Sequence, residues 1–219
     1  DKTLSQLRGA RVYFDAIGGG NNGDDMIRYG TERAFDVHGL ELVHEAAKAD
    51  VIVQNGSGAM NDVWTGGFDR LAENARHTST PIVVLPTSYM FNKYRLADLL
   101  GKRTAPTTLY CRERISLGGL NEQAAACRCP ITLGVDHDMA FRLAGSPFIE
   151  RAKARRRKDH LLIVDRTDWE NQTATRTQTH GKVVAPKAVK AIIPKFMNQA
   201  PKRIINRRLQ HRATMRSAF

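Results

Sequence analysis

The sequence predicts an α/β fold built on one parallel sheet with helices on both faces. Short apolar runs recur along residues 1–150, amphipathic segments separate these runs, and glycine-rich turns follow two of them. This alternation is typical of doubly wound sheets, because each parallel strand needs a crossover connection before the next. We therefore interpret residues 1–150 as one α/β domain.

Six apolar runs are the predicted strands, and helices are predicted in the intervals. The strands are expected at Arg11–Ile17, Leu40–Val43, Asp50–Gln54, Pro81–Pro86, Thr107–Cys111 and Ile131–Gly134. Residues 26–37 carry apolar side chains at helical spacing before the stop signal Gly39, and Gly66–Arg76 and Ile115–Cys127 indicate later crossover helices. Each predicted helix thus connects two strands.

The net charge of +12 lies in the last third of the chain. Residues 1–150 contain 16 basic and 18 acidic side chains, whereas residues 151–219 contain 18 basic and 4 acidic ones. Because the excess is confined to one end, a uniformly basic nucleic-acid-binding fold is disfavoured and no specific nucleic acid is expected as a partner. Residues 151–160 are interpreted as a basic linker, and residues 161–219 as the start of a second domain with a basic tail.

Composition also favours a cytoplasmic protein without metal. No apolar run reaches the ~20 residues that a membrane span needs, and the first ten residues lack the apolar core of a signal peptide. The three cysteines form neither an even framework nor a CxxC pair, so we expect reduced thiols. His137 lies between Asp136 and Asp138, where a cation is conceivable, but a turn of hydrogen-bonded carboxylates is the favoured interpretation.

The segment VYFDAIGGGNNGDD, Val12–Asp25, is the first candidate binding loop. An apolar strand there enters a glycine turn and an acidic helix start, at the edge where ligands of α/β sheets collect. The segment lacks the Lys and Ser or Thr of a P-loop and the glycine spacing of a dinucleotide site. Asn22 or Asp24 could be a simple helix cap; in the alternative, Asp24 or Asp25 faces a ligand, beside Gly23, and binds sugar hydroxyls or moves a proton.

Further candidates follow the third, fourth and fifth strands. The turn NGSGAMND brings Asn55, Gly56 and Gly58 to the same sheet edge, although a structural turn explains these residues equally well. Ser88 follows the fourth strand and could bind a ligand or have a local structural role.

Arg112 directly follows the fifth strand. Its planar fork of donors suits a carboxylate or phosphate, while a salt bridge to Glu113 or another acid is the alternative. Ser116, near the start of the next helix, could bind a ligand or cap that helix.

Five segments, taken in order, resemble the polysaccharide pyruvyl transferase family: NNGDDMIRYG, ADVIVQNGSGAMND, PIVVLPTSY, CRERIS and VDHDMAF. The shared landmarks are an x-Gly-Asp loop, a glycine-rich turn after the third strand, an Arg-acid-x-x-Ser signature and a late Asp before an aromatic residue. The resemblance covers residues 12–145. It implies a GT-B-like pair of Rossmann-type domains and the transfer of pyruvate from phosphoenolpyruvate onto a glycan as a ketal.

The resemblance also implies roles for individual residues. Arg112 matches the signature arginine and Asp24 the acidic position of the first loop, so both are expected to be catalytic. Substrate-binding roles are expected for Asn22, Gly23, Asn55, Gly56, Gly58, Ser88, Glu113, Ser116 and Asp138. Phosphoenolpyruvate is the expected donor substrate and no cofactor is expected. DRTDWE, residues 165–170, resembles the first strand of the family's second domain, but no Arg-x-His-like motif follows Arg166, so that domain is shortened or diverged.

The expected acceptor is a glycan or lipid-linked oligosaccharide of cell-envelope or exopolysaccharide biosynthesis. Two alternatives stay open, a GT-B glycosyltransferase using a nucleotide sugar and a non-catalytic glycan- or anion-binding module. The tail Lys182–Arg216 mixes apolar and basic residues, which is typical of contact with an anionic membrane face, here the inner face, and equally of a solvated basic tail.

Overall fold

The fold is a six-stranded sheet with all strands parallel, in the order β2-β1-β3-β4-β5-β6. The computed structural model describes residues 2–16 and 22–155. The predicted α/β fold with one parallel sheet is confirmed in this part of the chain. The predicted second domain and basic tail lie outside the described residues, as does the end of the predicted linker.

Each predicted strand has an observed counterpart whose ends lie within two residues of the predicted ones, and the fifth matches at both ends. The observed strands are β1 Arg11–Asp15, β2 Glu41–Val43, β3 Val51–Gln54, β4 Ile82–Thr87, β5 Thr107–Cys111 and β6 Ile131–Val135. The first strand ends at Asp15, two residues earlier than predicted, and the last extends one residue further. All residues of β3 and β4 are buried, as expected for strands in the centre of a sheet covered on both faces.

In the part of the chain that the structure describes, six α-helices accompany the strands: α1 Lys2–Gln6, α2 Asn22–His38, α3 Gly66–Asn74, α4 Leu96–Leu100, α5 Arg114–Ala124 and α6 Pro147–Ala154. The predicted helices correspond to α2, α3 and α5. Three helices were not predicted: α1 and α4, which are too short to show a period, and α6. Helix α6 includes residues 151–154 of the predicted linker, and Ser146 caps its first turn by accepting from the Ile149 amide at 3.3 Å.

Helices cover both faces of the sheet, because neighbouring strand residues point to opposite sides. On one face, Val51 and Val53 pack with α1, α2 and Met139. On the other face, Ile52 packs with α3, α4 and α5. Within the described ranges, no helix is long and apolar enough to cross a bilayer.

The strand order reverses at β1, which pairs with β2 on one side and β3 on the other. This is the switch point of a doubly wound sheet, where the loops after the two strands diverge and leave a crevice.

The chain after β6 crosses back over the face that carries α2. A short 3-10 helix, Met139–Leu143, packs there against α2. The contact depends on Gly30, because a Cβ at this position would lie 1.9 Å from the Met139 carbonyl oxygen. The close approach of α2 to the 3-10 helix fixes the position of the segment that begins with Asp138.

Candidate functional site

Three neighbouring strands contribute to one side-chain cluster at the carboxyl edge of the sheet. Ser88 follows β4, Arg112 follows β5, and Asp138 lies three residues after β6. Because β4, β5 and β6 are adjacent in the sheet, the residues that follow them lie near one another. Arg112 contacts both Ser88 and Asp138.

The guanidinium of Arg112 is oriented by two side chains. Nη1 donates to Asp138 Oδ2 at 2.7 Å, and Nη2 and Nε donate to Ser88 Oγ at 2.8 and 3.3 Å. Three of the five N–H groups of an arginine are thereby engaged with described residues. The Arg112 side chain is 29% exposed. The site therefore presents a partly exposed cation whose orientation is held by the protein.

Asp138 is the carboxylate partner of Arg112. Its Oδ1 accepts from the Ala140 amide at 2.9 Å and caps the 3-10 helix, while Oδ2 accepts from Arg112. Both oxygens thus contact the protein, and the predicted substrate-binding role of Asp138 stays a prediction. Arg112 forms a salt bridge with Asp138 and not with Glu113, because β6 lies next to β5 and the loop after β6 therefore lies beside Arg112.

Glu113 contacts two serines. Its Oε2 accepts from Ser88 Oγ at 3.2 Å, and its Oε1 bonds Ser116 Oγ. Ser88 therefore connects Arg112 to Glu113. Ser116 is 2% exposed and accepts from the Tyr89 amide at 2.8 Å, so it joins α5 to the loop after β4. Its predicted ligand-binding role stays a prediction.

The glycine turn after β3 packs against the end of β4. A Cβ at Gly56 would lie 2.2 Å from the Pro86 carbonyl oxygen, so this glycine permits backbone packing. Gly58 is exposed, and a Cβ there would lie 3.7 Å from Arg112 Nη2. Of the two predicted glycines in this turn, Gly58 lies beside the Arg112 guanidinium, and Gly56 allows the turn to pack against β4.

Asn55 is buried, with 2% of its surface exposed. Its side-chain Oδ1 accepts from Thr31 Oγ1 of α2 at 2.9 Å, and its backbone N–H donates to the Asp15 carbonyl at 3.0 Å. The side chain joins the turn to α2 and the backbone joins it to β1, and the predicted substrate-binding role of Asn55 stays a prediction. A polar residue in a glycine turn suggests exposure from sequence, but packing against α2 excludes it here.

Asn22, Gly23 and Asp24 form the first turn of α2. The loop before them, residues 17–21, lies outside the described residues. β1 is three strand positions from β5, a lateral offset of about 14 Å at the usual strand spacing. This helix start therefore belongs to another part of the edge than Arg112, and its ligand-binding and catalytic roles stay predictions.

A buried polar cluster at the switch point was missed from the sequence. Asp15 accepts from Asn74 Nδ2 and pairs with Arg70 Nη1, both at 2.7 Å, and Asn74 also donates to Gln54 at 3.3 Å. Burial raises the pKa of Asp15, while the hydrogen bond from Asn74 opposes this effect. Arg70 further donates to the Ala16 carbonyl at 3.4 Å, so the cluster holds the start of the first loop. The sequence signal that could have indicated this cluster is a polar residue at the end of each of two neighbouring strands, Asp15 in β1 and Gln54 in β3.

Among the residues that the structure describes, no group of three or more His, Cys, Asp or Glu side chains could hold a metal ion. The Asp138 carboxylate instead takes part in the salt bridge and the helix cap described above. The chemistry of the described cluster is that of an oriented cation beside hydroxyl and carboxylate groups.

No family model and no curated protein matches the chain. A solved structure of a functionally uncharacterised protein from Klebsiella pneumoniae is similar, with a TM-score of 0.50 and 18% sequence identity. The similarity covers 67% of this chain and 55% of the neighbour, so the chain spans about half the neighbour's length. This likeness shows the fold alone, an α/β domain with a Rossmann-like parallel sheet.

Proposed function

We propose that this chain is a polysaccharide pyruvyl transferase that moves pyruvate from phosphoenolpyruvate onto a glycan. The observation that supports this function best is Arg112, a partly exposed guanidinium held by Ser88 and Asp138 at the carboxyl edge of the sheet. Gly58 leaves space beside it. A guanidinium held in this way suits the carboxylate or phosphate of the donor.

The reaction requires a cation and an acid. An acid protonates the methylene carbon of the donor, an acceptor hydroxyl attacks the resulting cationic carbon, and a second hydroxyl closes the ketal as phosphate leaves. Arg112 would bind the donor's negative charge during these steps, and the contact with Asp138 prevents the guanidinium from rotating away. The match to the family's first loop supports an acid or base role for Asp24. Its helix start lies about 14 Å along the sheet edge from Arg112, so we assign no residue as the acid that protonates a donor bound at Arg112.

The finer features of the family belong to the same proposal. They comprise a GT-B-like arrangement with a shortened second domain, a lipid-linked or exported glycan as acceptor, and a cytoplasmic location at the inner face of the membrane. The basic residues of 151–219 support the last point, because a net charge of +14 favours anionic surfaces.

Arg112→Lys tests the proposal, because lysine keeps the charge and loses the planar fork. We expect the affinity for phosphoenolpyruvate to fall by about tenfold or more, because a charge-assisted hydrogen bond is lost, while the fold is unchanged. Calorimetric titration of phosphoenolpyruvate into both proteins, with melting temperatures measured in parallel, gives the two quantities. A purely structural salt bridge predicts the reverse, lower stability with unchanged affinity.

Arg11→Lys is the matched control. Arg11 is also paired with a carboxylate, Asp50 at 2.6 Å, but it starts β1 at the opposite edge of the sheet. This variant should bind the donor as the unmodified chain does. If the unmodified chain binds no phosphoenolpyruvate, the proposal fails; if it binds the donor but releases no phosphate with any glycan, the chain is an anion-binding module instead.

A further inference from the structure

A cavity of about 190 Å³ lies beside the Arg112 cluster, and we propose that it binds one neutral pyranose ring of the acceptor. The cavity is bordered by the turn after β3, the loop after β4 and the start of α5. Asn61, Ser88, Met90, Glu113 and Ile115 contribute to its lining. The inference rests on the proposed function, to which it adds the place of the acceptor.

One side of the cavity is rich in hydrogen-bond acceptors. The carboxylate of Glu113 receives one hydrogen bond from Ser88 and one from Ser116. An ionised carboxylate offers about four acceptor sites, so Glu113 has capacity for further hydroxyl donors. Sugars present adjacent hydroxyl groups, which are the matching donors.

The lining also includes exposed apolar side chains. Met90 and Ile115 line the cavity and are 58% and 89% exposed. Trp64 and Val63 are also exposed on the neighbouring turn, where their amides donate to Asn61 Oδ1 at 2.8 and 2.9 Å. The C–H face of a pyranose ring is the part of a sugar that such side chains cover. The cavity therefore matches a ring with hydroxyls on its edge and C–H groups on its face.

The loops around the cavity are joined to each other. The Met90 amide donates to the Met60 carbonyl at 2.9 Å, and Met60 and Tyr89 form a parallel bridge. The Lys93 amide donates to Asp62 Oδ1 at 3.3 Å. These contacts extend the pairing of β3 and β4 beyond the strands, so the cavity is supported by the sheet.

Charge and size exclude other classes of ligand. An anion would be repelled by the Glu113 carboxylate, and an apolar segment would remove water from that carboxylate without adding hydrogen-bond donors. The volume lies below the ~300 Å³ at which pockets for drug-sized ligands begin, so a single ring is the matching size. Ser88 bonds both Glu113 and Arg112, which puts a ring in this cavity next to a donor bound at Arg112.

Saturation-transfer NMR on the full chain without phosphoenolpyruvate tests the inference. The probes are the methyl glycosides of glucose, galactose, mannose and N-acetylglucosamine, with cyclohexanol as an apolar ring of similar size. We expect at least one glycoside to receive saturation more strongly than cyclohexanol. No transfer to any glycoside at millimolar concentration, or equal transfer to cyclohexanol, would overturn the inference.

Two variants locate the binding. Glu113→Gln should weaken glycoside binding by about tenfold through loss of the charged acceptor, and Ile115→Ser should weaken it severalfold. Val37→Ser is the matched control, because Val37 is 66% exposed on α2 and lies outside the cavity lining. Ile115 is exposed, so its variant keeps the test valid even if Glu113→Gln impairs folding. Equal affinity of Ile115→Ser and the unmodified chain would refute this location.

The two proposals fail separately. Glycoside binding at this cavity without phosphoenolpyruvate binding would refute pyruvyl transfer and leave the sugar site. Phosphoenolpyruvate binding without glycoside binding would refute the sugar site alone.

Discussion

Arg103 is the largest fully buried side chain of the described fold, with 1% of its surface exposed. Its guanidinium donates to Thr107 Oγ1 at 2.8 Å and to the His77 carbonyl at 2.9 Å, and it also contacts the carbonyls of Thr80 and Pro106. Burial lowers the pKa of Arg103. The cation is thus stabilised by carbonyl and hydroxyl oxygens of the loops at the amino edge of the sheet.

Arg103→Met should destabilise the protein strongly, because it keeps an apolar stem and leaves several buried oxygens without donors. We expect the free energy of unfolding to fall by about 3 kcal/mol, as measured by urea denaturation. Arg114→Met, at an exposed position, is the control and should change stability by less than about 0.5 kcal/mol. Similar midpoints for both variants would show that the Arg103 contacts contribute little.

Asp15 should make stability depend on pH in the opposite sense from most carboxylates. Its pKa is raised above the ordinary 3.8, chiefly by burial, so the folded state favours the protonated form. This contribution is complete below the unfolded pKa and is lost as pH rises through the folded pKa. We expect the native chain to lose stability relative to Asp15→Asn as pH rises from 3.8 through the raised folded pKa, measured by urea denaturation.

Asp50→Asn is the control with the opposite sign. The hydrogen bonds from Arg11 lower the pKa of Asp50 to about 2. Its contribution is present above 3.8 and is lost as pH falls toward 2. A stability difference between the native chain and Asp15→Asn that stays constant with pH would contradict the assignment for Asp15.

Among the elements, the contact between α2 and the 3-10 helix fixes the position of Asp138, which caps that 3-10 helix. Gly30→Ala would bring a Cβ within 1.9 Å of the Met139 carbonyl oxygen, so one backbone must move. We expect a loss of about 1–3 kcal/mol in the free energy of unfolding, together with weaker donor binding at Arg112. Denaturation and calorimetry measure the two effects.

Gly118→Ala tests the same substitution in a helix without the contact. Gly118 lies inside α5, and a Cβ there would have no neighbour within 4 Å. This variant should gain about 0.5–1 kcal/mol from helix propensity. Equal stabilisation by Gly30→Ala would mean that α2 and the 3-10 helix are not closely packed.

At the scale of the whole molecule, the chain divides between residues 156 and 157. Both apolar layers of the sheet belong to the first unit, so a chain ending at Arg156 should unfold cooperatively with a melting temperature within a few degrees of the full chain. Circular dichroism melts measure this. Loss of the cooperative transition would show that the sheet depends on residues 157–219.

The same truncation tests the proposed membrane contact. It removes 14 basic and 4 acidic residues and leaves a net charge of +2. We expect the full chain, and not the shortened one, to co-sediment with anionic vesicles at low salt. Equal recovery of the full chain with neutral vesicles would contradict the contact.

The strands, and the sheet edge at which Arg112 lies, could be predicted from the sequence. Central strands are buried on both faces, so their apolar runs are visible in the sequence, and Arg112, Ser88 and Gly58 follow such runs within a few residues. Their position at the carboxyl edge is therefore a local property. The sequence could also indicate α2, α3 and α5, because each is long enough to show its stop signal or period.

Which side chains meet, and which of them are buried, depends on contacts between elements that are distant in the sequence. Asp138 is 26 positions from Arg112, and Asn74 is 59 positions from Asp15, so strand order and not local pattern brings these pairs together. Asn55 and Ser116 are polar residues after strands, as Arg112 is, yet packing against α2 and the loop after β4 buries them. Hydrogen-bond partners depend on contacts between distant elements, whereas strand positions follow from the pattern of neighbouring residues.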